Sequence, residues 1–166
     1  MKKGPEIWPK EIEKPDPIEQ GNLVKSELPV AIVFSRFNIE IGARLLDGAR
    51  SVFDATQTPY EVFSVPGAME IPLIAQKCAH TQRFAAIICL GAVIRGETPH
   101  FDYVCSEAAR GCSQVSLLEN LPVIFGVLTT DTLDQALERA SGEDNKGKYV
   151  ANAALECIDL LNKMGQ

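Results

Sequence analysis

Four segments of the sequence carry aromatic, charged or amide side chains, three of them together with glycine or proline, as ligand-binding loops do. The richest of them in such side chains, Gly91 to Tyr103, reads GAVIRGETPHFDY. Its Gly96 permits close backbone approach, and the N–H groups of Glu97 and Thr98 could hold a phosphate ahead of a helix. His100 follows, and histidine is the usual general acid or base near neutral pH, although a lone histidine is more often structural. This segment predicts an anion site beside a proton-transfer group.

Two further segments place a binding side chain beside a turn. In Ser35 to Asn38, the Phe37 ring could stack on a flat heterocycle or close the core over a helix start. In Val65 to Pro72, proline and glycine fix a tight turn whose N–H groups face outward at a helix start. Glu70 in that first turn either caps the helix or accepts hydrogen bonds from a polyhydroxylated ligand. The sequence leaves both pairs of alternatives open.

The fourth segment runs from Phe125 to Gly147. Its Thr129-Thr130-Asp131 stretch supplies capping oxygens for a helix that ends near Arg139. Arg139 could clamp a phosphate through two parallel N–H donors, or it could simply compensate the helix dipole. Phe125 lies on what should be the last strand of the sheet, an edge that needs a cover.

All four segments follow apolar runs that predict buried strands. The strands are expected at Val30–Phe34, Tyr60–Val65, Phe84–Val93 and Val123–Leu128. Helical spacing predicts helices at Glu40–Gln57, Ala68–Ala79, Asp102–Glu119, Leu133–Ser141 and about Lys148–Lys163. Alternating apolar strands and helices predict a parallel sheet covered on both faces, a three-layer α/β/α sandwich. Ligands bind beyond the carboxyl ends of such strands, where all four segments fall.

The chain is predicted to hold one compact α/β domain, residues 29–166, behind an N-terminal extension, residues 1–28. The extension mixes lysines and glutamates with four prolines, a composition that buries little and resists regular pairing. Within it, Asn22 to Lys25 is predicted to add a short edge strand to the sheet.

Composition narrows the function further. The net charge of −6 and the lack of a basic stripe argue against nucleic-acid binding. Apolar runs are too short to span a bilayer and the amino terminus lacks a signal-peptide core, so a cytoplasmic location is expected. Five cysteines without a Cys-x-x-Cys pair indicate buried, reduced thiols. Two histidines without metal-ligand spacing predict no protein metal site.

Together, the motifs resemble those of the lumazine synthase family, in order and approximate spacing from about Val30 onward. They are Arg36-Phe37-Asn38, Pro66-Gly67-Ala68-x-Glu70-Ile71-Pro72, Gly91-x-Val93-Ile94-x-Gly96-x-Thr98-x-His100-Phe101 and Asn145-Lys146-Gly147. The resemblance implies a flavodoxin-like sheet, no cofactor, and homo-oligomers of one or more pentamers with active sites between subunits. It also implies the reaction: 5-amino-6-(D-ribitylamino)uracil and 3,4-dihydroxy-2-butanone 4-phosphate condense to 6,7-dimethyl-8-ribityllumazine, phosphate and water.

The same resemblance implies roles for individual residues. Ribitylaminouracil would bind to Phe37, Ala68, Met69, Glu70, Ala92, Val93, Ile94 and, from the adjoining subunit, Phe125. The butanone phosphate would bind to Glu97, Thr98 and Arg139. His100 would transfer protons, and Asn38 and Lys146 would lie near the site.

Two departures from the family pattern qualify this interpretation. The linker between Arg139 and Asn145 is about one residue shorter than in members that form sixty-subunit shells, and it lacks their Thr-Lys element. The sequence therefore leaves the oligomeric state open among a pentamer, a decamer and a sixty-subunit shell. Ala92 stands where threonine is common, which removes one side-chain hydrogen bond but keeps the backbone groups.

Two other functions compete with the synthase. An archaeal-type riboflavin synthase would share the fold and act on the lumazine product. A non-catalytic flavin-binding shell protein would retain Phe37 and Glu70 but would not need His100 or Arg139. If the chain is the synthase, riboflavin synthase, which consumes its product, is a further candidate partner.

Overall fold

The computed structural model describes residues 21–165, and four parallel strands form its centre. They are β1 (Val30–Ser35), β2 (Tyr60–Val65), β3 (Ala86–Ile94) and β4 (Val123–Thr130). Their order in the sheet is β2-β1-β3-β4, so β4 is an edge strand. Residues 1–20, which hold the prolines of the predicted extension, and residue 166 lie outside the described residues.

Five α-helices cover the two faces of the sheet. They are α1 (Ile39–Thr56), α2 (Ile71–His80), α3 (His100–Glu119), α4 (Leu133–Arg139) and α5 (Lys146–Met164). Helices α1, α4 and α5 pack on one face, and α2 and α3 pack on the other. This confirms the predicted three-layer α/β/α sandwich with a flavodoxin-like sheet. Within residues 21–165, no helix is both long and apolar enough to cross a membrane.

Strand β1 shows why the central strands are apolar throughout. Val30 and Ile32 point into the core beneath α1 and α5, whereas Ala31 and Val33 point into the core beneath α2. All four side chains are fully buried, because successive residues of a strand face opposite sides of the sheet.

Several element ends differ from the predicted ones for identifiable reasons. Strand β3 begins at Ala86, and Phe84 instead packs edge-to-face on Phe63, with ring centroids 6.0 Å apart. The predicted second helix begins with a 3₁₀ turn over Ala68–Glu70 and becomes α-helical only at Ile71. Strand β4 continues through Thr130, so the cap of α4 is Thr132, whose hydroxyl accepts a hydrogen bond from the Gln135 N–H.

The predicted edge strand at Asn22 to Lys25 is wrong for this chain, because the segment has no strand pairing. Asn22 donates both its backbone N–H and its side-chain amide to Asp159 of α5, at 2.8 and 3.2 Å. Ser26 donates its N–H to the Thr58 hydroxyl at 3.2 Å. The backbone N–H groups of Asn22 and Ser26 thus donate to side chains and not to the backbone of a neighbouring strand.

A buried amide fastens the start of α5 to α1. The Asn145 side chain donates to the Arg44 carbonyl at 2.9 Å and to the Ala140 carbonyl at 2.8 Å, and it accepts from the Gly147 N–H at 2.7 Å. A Cβ at Gly147 would lie 1.9 Å from the carbonyl oxygen of Leu45. Only glycine therefore lets the two helices approach so closely.

Candidate active site

A cavity of about 390 Å³ opens beyond the carboxyl ends of β2, β1 and β3. The chain order reverses between β1 and β3, and this is where ligands bind in open parallel sheets. Its size suits a small ligand. The lining residues are Phe37, Gly67, Ala68, Met69, Glu70, Ala92, Val93, Ile94, Gly96, Thr98, His100, Phe101 and Val104.

Phe37 projects from the loop after β1 with 70% of its surface exposed. Its backbone N–H donates to the Pro66 carbonyl at 3.1 Å, and the N–H of Arg36 donates to the Val65 carbonyl at 2.9 Å. These two bonds join the loops after β1 and β2 below the ring. Such exposure is inconsistent with a residue that closes the core, and it leaves a ring face available for stacking.

Glu70 caps the helix start and still has a carboxylate oxygen available for a ligand. One carboxylate oxygen, Oε2, accepts a hydrogen bond from the Gly67 N–H at 2.8 Å, and this caps the 3₁₀ turn. The other oxygen, Oε1, has no hydrogen-bond partner in the part of the chain that the structure describes. The side chain is exposed in the cavity, so the capping bond orients a carboxylate that can still accept from a hydroxyl group.

Asn38 does not line the cavity, but it holds together two segments that do. Its backbone is left-handed, with φ 57°, a conformation that asparagine tolerates better than most residues. Its side-chain amide donates to the Ala92 carbonyl at 2.9 Å. The loop that carries Phe37 is thereby tied to the end of β3, where Val93 and Ile94 line the cavity.

The loop after β3 leads directly into α3, which begins at His100. The cap residue is Pro99, and no side chain caps the N–H groups of the first turn. The amino end of a helix carries partial positive charge and unpaired donors, so this end can bind an anion. Thr98 and His100 line the cavity beside it, whereas Glu97 is exposed on the same loop without lining it.

Phe101 and Val104 also line the cavity, although the motifs predicted no binding role for either. Helical spacing was the signal that could have found Val104, because His100 and Val104 lie four residues apart on one face of α3. Within residues 21–165, no group of three or more histidine, cysteine, aspartate or glutamate side chains could hold a metal ion.

Three predicted site residues lie away from this cavity. Phe125 is half-buried in the middle of β4, opposite Cys89. Arg139 ends α4, donates to the Gln135 carbonyl at 2.9 Å and lies beside Glu138. Lys146 begins α5, with its ammonium 5.3 Å from the centre of the Tyr149 ring. None of the three lines the cavity of its own chain.

Comparisons with known proteins agree with the motifs. The profile of the family described as 6,7-dimethyl-8-ribityllumazine synthase matches residues 27–162. A curated 6,7-dimethyl-8-ribityllumazine synthase from Syntrophus aciditrophicus (strain SB) is 48% identical over 151 residues, which cover 89% of this chain and 98% of the relative. The family match spans all four strands and every residue that lines the cavity, and the chain therefore belongs to the 6,7-dimethyl-8-ribityllumazine synthase family.

Proposed function

We propose that the cavity beyond β2, β1 and β3 is the active site in which this chain makes 6,7-dimethyl-8-ribityllumazine. As a member of its family, the chain acts as a transferase in riboflavin biosynthesis. The substrates are a pyrimidine with a ribityl chain and a phosphorylated butanone. One observation carries the proposal: an exposed aromatic ring, a carboxylate, strand-end backbone groups, and an uncapped helix start with threonine and histidine all line one cavity.

The ribitylaminouracil would occupy the side of the cavity formed after β1 and β2. Phe37 stacks on the pyrimidine, and the backbone of Ala92, Val93 and Ile94 binds the ring edge. The segment Ala68 to Glu70 follows the ribityl chain. The geometry supports these roles because Glu70 keeps one unbonded oxygen for hydroxyl groups, and the ring of Phe37 is exposed.

The butanone phosphate would lie at the start of α3. The N–H groups of Glu97 and Thr98 and the Thr98 hydroxyl donate to its phosphate oxygens, aided by the helix dipole. The absence of a side-chain cap at Pro99 supports this role, because the donors of the first turn are not engaged by a side chain. Arg139 would complete the phosphate site with a bidentate contact.

His100 would move protons during the condensation. The 5-amino group of the uracil attacks the ketone and water leaves, which gives an imine. Phosphate is then eliminated to leave an enol that tautomerises to a ketone, and the ribitylamino nitrogen attacks this carbonyl and closes the ring with loss of a second water. One general acid or base contributes about 10²–10⁴-fold, and holding both reactants together contributes an entropic term that can be as large. Thr98 and His100 both line the cavity, which supports a proton-transfer role for His100 next to the proposed phosphate site.

The complete site would be shared between neighbouring copies in a pentamer or a multiple of pentamers. Phe125 and Arg139 do not line the cavity of their own chain, and β4, which carries Phe125, is an unpaired edge of the sheet. A neighbouring subunit covers that edge and brings the two side chains to a cavity, with Lys146 near the same junction. The exposed Phe37 ring is also consistent with a cover from a second copy.

We further propose that residues 29–166 form the catalytic domain, that the chain works in the cytoplasm and that riboflavin synthase takes up its product. The family match supports the boundary, since it begins at residue 27. All five cysteines are free, which is typical of a reducing compartment.

The decisive experiment mixes both substrates with the purified chain and records lumazine fluorescence and phosphate release. We expect both signals to rise together in a one-to-one ratio. Conversion of added lumazine to riboflavin would instead favour the archaeal-type riboflavin synthase. Binding of flavin without any turnover would indicate a carrier, and either result would contradict the proposal.

A further inference from the structure

The Arg95 guanidinium holds together three parts of the chain at the end of β3. Its Nε donates to Asp131 Oδ1 at 2.8 Å, just after β4, and its Nη1 donates to Asp102 Oδ1 at 3.2 Å in the first turn of α3. The guanidinium carbon lies 4.1 Å from the centre of the Phe101 ring, a cation–π contact. The Arg95 N–H also donates to the Thr130 carbonyl at 2.9 Å.

These contacts close the loop of residues 96–99 at both ends. Arg95 precedes the loop, and its side chain reaches past it to the two residues that follow His100. Among the described residues, no hydrogen bond from outside the loop reaches residues 96–98, and a Cβ at Gly96 would meet nothing within 4 Å. The loop that carries Glu97 and Thr98 is therefore held mainly by the arginine that bridges its two ends.

The bridge is connected to the cavity through Phe101. One face of this ring receives the guanidinium, and the ring also lines the cavity beside Thr98 and His100. Arg95 itself does not line the cavity, and its charge is already shared with two carboxylates. Its geometry is thus suited to fixing other groups and not to touching a ligand.

We propose that Arg95 is a positioning residue for the phosphate half of the reaction. By bridging Asp131, Asp102 and Phe101, it holds the loop of residues 96–99 and the start of α3 in the arrangement that receives the phosphate. The role rests on the proposed function of the cavity. Lysine cannot replace it fully, since a single ammonium lacks the planar fork that serves two carboxylates and stacks on a ring.

The test measures kcat, KM for each substrate and inhibition by inorganic phosphate in the assembled enzyme. For Arg95→Gln we expect the KM of the butanone phosphate and the inhibition constant of inorganic phosphate to rise together, on the order of tenfold, because a displaced loop weakens its charge-assisted hydrogen bonds to phosphate. The KM of the ribitylaminouracil should change little. For Arg95→Lys, the KM of the butanone phosphate and the inhibition constant of inorganic phosphate should lie between those of the unsubstituted chain and those of Arg95→Gln.

The variants Asp131→Asn and Asp102→Asn separate positioning from direct phosphate binding. Each removes a negative charge near the phosphate site, so electrostatics alone predicts tighter phosphate binding. The positioning role predicts weaker binding in both, because the ion pair is lost and the remaining neutral hydrogen bond holds the bridge less strongly. Tighter phosphate binding in the aspartate variants, or unchanged phosphate inhibition in Arg95→Gln, would overturn the inference.

Arg83 offers a matched control at the opposite end of β3. It also pairs with a carboxylate, Glu61, and its guanidinium carbon lies 5.1 Å from the centre of the Phe84 ring. Arg83→Gln should leave every kinetic constant unchanged. If the unsubstituted chain makes no lumazine, the proposed function fails, yet inorganic phosphate binding still tests the bridge.

Discussion

The side-chain amide of Asn38 donates a 2.9 Å hydrogen bond to the Ala92 carbonyl, from a backbone position with φ 57°. Two substitutions separate these features. Asn38→Gly keeps the left-handed backbone and should lower the free energy of unfolding by about 1 kcal/mol through the lost hydrogen bond. Asn38→Ala should cost about 1 kcal/mol more, since alanine disfavours this conformation. Urea unfolding at one fixed chain concentration measures both, and equal stability of Asn38→Gly and the unsubstituted chain would contradict the assignment.

His100→Ala should lower kcat by up to about 10²–10⁴-fold while KM for both substrates changes little. Appreciable activity should survive, because orientation of two reactive substrates still operates. His80→Ala is the control, since His80 pairs with Glu119 at 2.8 Å and does not line the cavity. Unchanged turnover of His100→Ala across neutral pH would remove this residue from the mechanism.

Arg139→Ala should raise the KM of the butanone phosphate far more than that of the ribitylaminouracil, by on the order of tenfold or more for a lost charge-assisted contact. Arg139→Lys should recover only part. Arg139 also donates to the Gln135 carbonyl at 2.9 Å in α4. Equal weakening toward both substrates would therefore indicate a damaged helix end and not a lost clamp.

A shared site predicts complementation between two chains whose activity is impaired by different substitutions. His100→Ala and Phe125→Asp chains, unfolded and reassembled together, should form some rings in which an intact cavity meets an intact Phe125. Activity should exceed that of either variant reassembled alone. Mass measurements must first establish mixed rings, and mixed rings without recovered activity would mean that each chain holds its own complete site.

Gly91→Ala should destabilise the chain by about 1–3 kcal/mol, the usual cost of overpacking. A Cβ at Gly91 would lie 2.2 Å from the Ser35 hydroxyl oxygen and 3.2 Å from the Ser35 Cβ. Adding Ser35→Ala removes the nearer clash and should restore most of the loss. A double-mutant cycle from thermal or urea unfolding gives the coupling, and strictly additive effects would contradict this contact.

Local patterns predicted most of the fold and part of the site. Buried strands such as β1 are apolar on both faces, and three of the four motif segments at strand ends line the cavity, which lies at the predicted edge of the sheet. Contacts between distant residues were not predictable. The Arg95 bridge depends on Asp131, which lies 36 residues further along the chain, and Asn22 is fixed by Asp159 across 137 residues.

The hydrogen bonds of Asn145 and the close approach at Gly147, which together form a joint between α1 and α5, show that the Asn145-Lys146-Gly147 motif indicates a fold more than a function. Asn145 and Gly147 are occupied with helix contacts, and neither lines the cavity. A ligand carrier that had lost all chemistry would need the same joint to keep its helices together. In a screen of new sequences, this motif selects chains that can fold in this way, whereas separating enzymes from carriers requires inspection of the residues around Thr98 and His100.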